Sequence, residues 1–491
     1  MASSTRRGVS RALYDEIRAR IADGTYAAGT ALPSTRALAL ERGVSRATAS
    51  LVHEQLAADG LVETRAGAAT RVLALPDRPR RVSAGPAAFP GGRSAFAARV
   101  ERLAIQSASA GDEDEFDFVY GPLSGRDFPT SAWLQALRAV EHRRPVRLAY
   151  EDPRGNLELR RALQAHLSRS RGLSCAVEQL MIVNGSQQAL DLCARLLVDA
   201  GDTVVVEDPG YRMAHHVFEA HGARLKAVGI DDQGLSIADL ERIRAARMLY
   251  VTPTHQFPLG SFLPAGRRRS VLDWAVARRA WVVEDDYDSE YRYAVRPEPA
   301  LYSLDPHGCV IHIGTFSKTL SPQLRLGYLI VPAPLVDTFA AAKRLMDRHA
   351  ATGVQRALAL LLEDGRYDRH VRRIRRVQHA RQRALLDALE RHLGSKVRVQ
   401  GAASGLHLVA WFPEVPSADE PAFVDAALRL GVRVHPISPL FLPGGRAVAR
   451  TRPAGLVMGY ALLEPEAIDE GVRRLAQAVR AVSGAQRRGR G

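Results

Sequence analysis

Three cysteines in 491 residues, Cys175, Cys193 and Cys309, are too few and too widely spaced for a disulfide framework, and none sits in a C-x-x-C pair of the kind that holds zinc. They read as buried thiols. No apolar run reaches the ~18 residues of a membrane-spanning helix, and the arginines near the start are followed by no apolar stretch, so export and membrane classes are excluded and a cytoplasmic protein is expected. Lysine is nearly missing too: Lys226, Lys318, Lys343 and Lys396 are the only four in a chain with 68 Lys+Arg. Arginine carries almost all the positive charge and forms no Schiff base, so chemistry that needs an amine has very few candidates.

What is present is ordinary for a globular protein, with 46% hydrophobic and 25% charged residues and a length that allows roughly three domains. The net charge of +15 points to a polyanionic partner, or equally to an arginine-rich background.

Along residues 11–23, Leu13, Ile17 and Ile21 recur at four-residue spacing and Gly24 follows, which predicts an amphipathic helix and its stop. Ser34 then caps a short helix that Gly43 ends. Ser45 caps a second that runs through Leu51, Val52 and Leu56 to Asp59-Gly60. Two helices around one tight turn make a helix-turn-helix, and the alternation over 61–73 predicts a two-stranded wing around Gly67. An ordinary helical module is the plainer alternative. Against it, Arg36, Ser45, Arg46 and Thr48 fall at helix N-terminal ends, where side chains and backbone N–H groups meet phosphates and base edges.

Leu32-Pro-Ser-Thr-Arg36, Gly43-Val-Ser-Arg-Ala-Thr48 and the L-x-x-x-G-L spacing from Leu56 to Leu61 resemble the DNA-binding domain of GntR-family regulators over residues 8–75. The resemblance implies a winged helix-turn-helix with Arg36, Ser45, Arg46 and Thr48 as contacts to double-stranded operator DNA, and Arg65 and Gly67 at the wing. The wing reads Gly67-Ala-Ala-Thr70 where the family has G-x-G-T. Residues 76–112, with Pro76, Pro79, Pro86, Pro90 and Gly91-Gly92, have a linker's composition and are expected to lie on the next domain. A basic tail, expected to be disordered, occupies 483–491.

Over 113–482, apolar runs at Leu180–Val183, Thr203–Val206, Arg247–Val251, Ala280–Glu284, Val310–Ile313 and Tyr328–Val331 alternate with helical stretches. Such alternation predicts an α/β domain with a mostly parallel sheet whose ligands sit at strand carboxyl ends. The first five runs lead into motifs, each with a bland alternative. Asn184-Gly-Ser-Gln-Gln is a phosphate-binding turn or a capped helix; Tyr211 stacks on a flat ring or packs; His255 is a ligand contact or structural. The acids around Asp285 face a pyridine nitrogen or a metal, and no His/Asp set at ligand spacing favours metal. Lys318, preceded by Thr315 and Ser317 and followed by Arg325, is a Schiff-base amine beside phosphate-binding groups or a surface lysine.

Taken in order, Asn-Gly-Ser-Gln-Gln, Asp-Pro-Gly-Tyr, Thr-Pro-x-His-Gln-Phe-Pro-x-Gly, Glu-Asp-Asp-Tyr-Asp-Ser-Glu and Gly-Thr-Phe-Ser-Lys-Thr-Leu resemble the aminotransferase-like domain of MocR/GabR-type regulators. This implies a fold-type I domain with a smaller C-terminal α/β subdomain and pyridoxal 5'-phosphate (PLP) as cofactor. It places Lys318 as the lysine bonded to the cofactor, Asp285 on the pyridine nitrogen, and Tyr287 with His255 near the ring hydroxyl. Tyr211 falls on the ring face, and Ser186, Gln187, Thr315, Ser317 and Arg325 around the phosphate.

The strand Gly455–Tyr460 holds no arginine where aminotransferases of this fold keep one for the substrate carboxylate; Arg450, Arg452 and Arg212 lie nearby. The expectation is therefore a homodimeric, PLP-dependent transcriptional regulator that senses PLP or an amino compound, with any turnover residual. A true aminotransferase carrying a DNA-binding domain is the rival.

Overall fold

A computed structural model describes residues 2–65, 68–74, 92–103, 105, 116–143, 146–147, 149–294, 298–443 and 452–489, with side chains described between 9 and 483. The chain divides into two units, Met1–Gly92 and Arg93–Gly491.

The first unit holds α1 (Ala2–Ala22), α2 (Thr35–Arg42) and α3 (Arg46–Ala58), then β1 (Val62–Glu63) paired antiparallel with β2 (Arg71–Val72). Sequence chemistry sets the boundaries. The Ser34 hydroxyl accepts from Ala37 N–H at 3.2 Å, Gly43 ends α2 at φ +62°, and the Ser45 hydroxyl accepts from Thr48 N–H at 3.1 Å. Leu13, Ile17 and Ile21 pack with Leu38, Val52, Leu56, Val62 and Val72 in one small core. Tyr14, outside the four-residue pattern, is also buried, and its hydroxyl meets the Asp59 carboxylate to tie α1 to the end of α3. Gly67 lies outside the described residues.

The second unit opens with a helix, Ala95–Val100, inside the stretch whose composition reads as linker. It lies on the domain that follows: Phe96 meets His221 edge-on at 5.1 Å, and Arg99 Nε donates to Ala220 O at 2.7 Å.

In chain order the strands are β3 (Phe116–Asp117), β4 (Leu180–Val183), β5 (Thr203–Asp208), β6 (Arg224–Asp231), β7 (Gly234–Leu235), β8 (Met248–Val251), β9 (Trp281–Asp286), β10 (Val310–Thr315) and β11 (Gly327–Ile330). Those from β4 to β11 form one eight-stranded sheet in the order β4-β11-β10-β9-β8-β5-β6-β7. Its centre, β10-β9-β8-β5-β6, is parallel; β11 and β7 are antiparallel to their neighbours. All four residues of β4 and of β8 are buried, as expected when helices cover both faces. Each such side chain removes roughly 1.5–3 kcal/mol worth of apolar surface from water.

The smaller sheet is antiparallel, with β12 (Arg398–Gln400), β13 (His407–Pro416), β15 (His435–Pro436) and β16 (Pro453–Gly459) in the order β12-β13-β16-β15; β14 (Val432–Arg433) pairs with β3. It shares a core with the helices Arg366–Leu393 and Pro465–Gly489. The latter continues past Ser483 to Gly489, so most of the expected disordered tail is helical backbone.

Candidate functional site

The run Glu284-Asp-Asp-Tyr-Asp288 places four carboxylates within five residues, and strand alternation separates them. Glu284 points to one side, accepting from Leu301 N–H at 2.7 Å, Tyr302 N–H at 3.1 Å and His312 Nδ1 at 3.0 Å. Burial raises its pKa, but the His312 hydrogen bond and the charges of His312 and Arg268 outweigh that and leave it lowered. Asp286 is paired with Arg171. Asp285 instead accepts from the Tyr250 hydroxyl at 2.8 Å through Oδ2, while its Oδ1 is buried with no partner among the described residues. Burial pushes Asp285 up to about 6, outweighing the Tyr250 hydrogen bond and the charges of His312 and Lys318, which pull it down.

Asp285 opens into a cavity of about 440 Å3 at the strand carboxyl ends. Lys318, just past β10, donates to Gly121 O at 2.8 Å, and burial lowers its pKa against the opposing pull of Asp288 and Asp285. Around the amine stand small hydroxyls and one guanidinium. Ser317 N–H donates to Thr315 Oγ1 at 3.1 Å, Ser186 and Gln187 begin the helix Ser186–Leu197, and Arg325 Nη2 donates to Asn184 O at 2.8 Å. Gly185 is required there: it sits at φ +80°, and a Cβ would lie 2.7 Å from Arg325 Nη2. A helix N-terminus, two hydroxyls and a guanidinium together suit a phosphate.

The cavity walls are aromatic. Tyr211 meets Phe257 edge-on at 5.7 Å, and Tyr120 contacts Phe257 at 5.2 Å. Tyr287 faces the cavity with His255 behind it; His255 Nδ1 lies 3.0 Å from the Tyr287 hydroxyl and 2.9 Å from Asp288 Oδ2. A carboxylate only accepts, so the Nδ1 hydrogen belongs to Asp288 and the Tyr287 hydroxyl proton is left for the cavity.

Nine of the ten residues singled out for a cofactor, Ser186, Gln187, Tyr211, Asp285, Tyr287, Thr315, Ser317, Lys318 and Arg325, line this one cavity; His255 stands behind Tyr287. Tyr250, Tyr120, Gly121, Phe257 and His407 also line it and were not read from the sequence. Tyr250 ends two positions before the Thr252-Pro-Thr motif, so its strand-end position was a usable signal. Gly121 and His407 come from 197 and 89 positions away from Lys318 and carry no local motif. His407, His255 and Asp288 present ligand-type atoms within 4.8 Å of one another, a grouping that spacing did not reveal. His255 Nδ1 already serves Asp288, and His407 Nε2 lies 3.1 Å from Pro258 O.

Among the described residues, Arg325 is the one guanidinium lining the cavity. Arg452 is committed to Glu420 at 2.6 Å, Arg212 lies 3.2 Å from His215 Nδ1, and Arg450 is outside the described residues.

The site residues suit PLP: an unpartnered buried carboxylate oxygen for a ring N–H, a desolvated amine, and a phosphate cradle closed to any side chain at Gly185.

In the first unit, Arg36 and Arg46 are exposed, and neither has a hydrogen-bonding or ionic partner among the described residues. Ser45 and Thr48 are tied to each other, with hydroxyls 2.8 Å apart. Arg65 pairs with Glu63 at 3.1 Å.

Known proteins share both units. Residues 9–72 match the gntR family of bacterial regulatory proteins, and residues 120–474 match aminotransferase class I and II. The probable rhizopine catabolism regulatory protein MocR of Rhizobium meliloti is 35% identical over 95% of this chain and 93% of its own length. The HTH-type pyridoxine biosynthesis transcriptional regulator PdxR of Corynebacterium glutamicum is 31% identical over 81% of this chain and 82% of its own. Among solved structures, LysN, the alpha-aminoadipate aminotransferase of Thermus thermophilus complexed with N-(5'-phosphopyridoxyl)-L-leucine, superposes with a TM-score of 0.67 at 29% identity. It covers 75% of this chain and 93% of that one.

Proposed function

Because the chain belongs to the MocR-type regulators of the GntR family, with a DNA-binding unit and a PLP-binding aminotransferase-like domain, we propose that ligand chemistry at Lys318 controls how the N-terminal unit engages operator DNA. The observation that carries this is Asp285, whose Oδ1 has no partner among the described residues, lining the cavity that also holds the Lys318 amine and the Arg325 cradle.

When bound, PLP supplies an aldehyde that condenses with amines and a ring that takes up electrons. The chain's residues prepare for this. Burial favours the neutral, nucleophilic form of Lys318, and Gly121 O orients its Nζ. Asp285, held by Tyr250, would accept the hydrogen of a ring nitrogen at Oδ1. Tyr287, with His255 and Asp288 behind it, presents a hydroxyl proton to the ring's own oxygen. Ser186, Gln187, Thr315, Ser317 and Arg325 would hold the phosphate, and the Tyr211 ring would lie against the cofactor ring.

On the DNA side, residues 8–75 act as the operator-binding domain, with Arg36, Ser45, Arg46 and Thr48 as the DNA contacts, Ser45 also capping α3, and Arg65 and Gly67 assigned to the wing. The active form is a homodimer in the cytoplasm, since a two-fold partner matches paired half-sites. The effector is PLP or an amino compound; the naming of PdxR for pyridoxine biosynthesis supports the first. To switch transcription it must bind two domain arrangements unequally. The rival, an aminotransferase, is disfavoured because the relatives that share both units are named as regulators.

The test is anisotropy on a duplex selected from a random pool, with and without PLP, followed by a screen of amines and amino acids. A change in DNA affinity with PLP or one added amine, lost in Lys318→Ala, supports the proposal. Identical affinity under every condition contradicts it.

A further inference from the structure

A second cavity, of about 530 Å3, lies between the end of the helix Leu157–Arg171, the segment after β9 and the first turns of the helix Arg366–Leu393. It shares no lining residue with the cavity around Lys318. Its chemistry is one-sided, with five arginines against two carboxylates, Glu290 and Asp368.

Those two acids are already engaged. Glu290 faces Arg171 at 3.3 Å, and Arg171 also holds Asp286; Asp368 faces His166 at 3.1 Å. Arg169, Arg292 and Arg372 are left without a carboxylate partner among the described residues. Arg372 and Arg375 sit three apart on one helix, a spacing at which like charges repel.

Two further groups wait for an acceptor. Ser289 is 6% exposed and its hydroxyl has no partner among the described residues, and the same is true of Arg292 Nε. Burial, with the neighbouring charge of Arg171, holds Arg292 down to about 10. Crowded guanidiniums beside unpartnered donors are costly unless an anion neutralises them.

We infer that this cavity binds a small phosphate-type anion, inorganic phosphate or a phosphate monoester, held by Arg292, Arg372 and the Ser289 hydroxyl. Planar guanidiniums match phosphate oxygens, and a cavity of this size encloses a small molecule rather than a flat polymer face. A side chain beside this site reaches the cofactor site. Tyr291, fully buried between Glu290 and Arg292 in the chain, donates from its hydroxyl to Lys318 O at 2.6 Å. An anion that fixes this segment also fixes the backbone of Lys318.

The experiment is calorimetric titration of inorganic phosphate into the full-length protein loaded with PLP and then dialysed free of unbound cofactor, itself a phosphate monoester, at constant ionic strength in chloride. PLP retained at Lys318 fills the cradle at Arg325 and no free monoester competes, so the heat reports the second cavity. Saturable binding is expected, weakened about tenfold or more in Arg372→Gln, the loss of one charge-assisted hydrogen bond. Arg372 is exposed and unpaired among the described residues, so this variant keeps its fold; Arg292→Gln should weaken binding further. A parallel titration with phenyl phosphate distinguishes a monoester from the free ion, and an arginine-dependent signal with either supports the site. Absence of saturable binding of both, or equal affinity in wild type and Arg372→Gln, overturns it. Failure to load PLP with phosphate binding still dependent on Arg372 would remove the cofactor reading and leave this one standing.

Discussion

In the N-terminal unit Arg36 and Arg46 stand exposed without partners among the described residues, whereas in the large unit Asp285 is buried, Tyr287 and Lys318 are half-buried, and each is held by a second residue: Tyr250, His255 and Gly121. The difference follows from the partner. DNA brings its own dense charge, so cations left unpaired lose nothing in advance and gain by releasing counterions. A small cofactor offers few contacts, so its site must be built beforehand, with the cost of burying amine and carboxylate borne by the core.

The strongest way to break this contrast is Lys318→Ala. Removing the amine should abolish the visible absorbance of the PLP-loaded protein while leaving far-ultraviolet circular dichroism unchanged, because few native contacts depend on Nζ. Next is Asp285→Ala, which takes away the buried carboxylate. PLP affinity should fall about a hundredfold or more, the cost of leaving one half of a buried charged pair alone, measured by fluorescence titration.

Arg46→Ala tests the exposed side. It should weaken DNA binding about equally across sequences if Arg46 meets phosphate, and reduce the slope of log affinity against log salt by about 1. Arg65→Ala, whose side chain is already spent on Glu63, should change less.

Acidity sharpens the buried side. Without cofactor, the raised pKa of Asp285 favours the folded protein with that carboxyl protonated, and this contribution is lost as pH rises through about 6. PLP needs the carboxylate, so its affinity should climb through the same window; a flat profile between pH 5 and 7.5 would show that Asp285 does not titrate on binding. The smallest effect is Tyr14→Phe, which removes the link to Asp59 and should cost about 1 kcal/mol in chemical denaturation.

The sequence carried unequal amounts of this. Six strand runs were legible because a sheet covered on both faces writes continuous apolar stretches, as in Leu180–Val183. β6 was not, since its burial is broken and Lys226 sits within it. The caps Ser34 and Ser45 were legible because capping is local. Tyr120, Gly121 and His407 were invisible because they reach the cavity through tertiary packing, not through any motif. Tyr14 escaped because a hydroxyl partnered 45 residues away leaves no mark on helical spacing.

One measurement bears most directly on the central claim: borohydride reduction of the dialysed, PLP-loaded protein, then peptide mass mapping. The account predicts one phosphopyridoxyl group per chain, on Lys318, and none after Lys318→Ala. A label confined to Lys226, Lys343 or Lys396, or no label at saturating PLP, would contradict it.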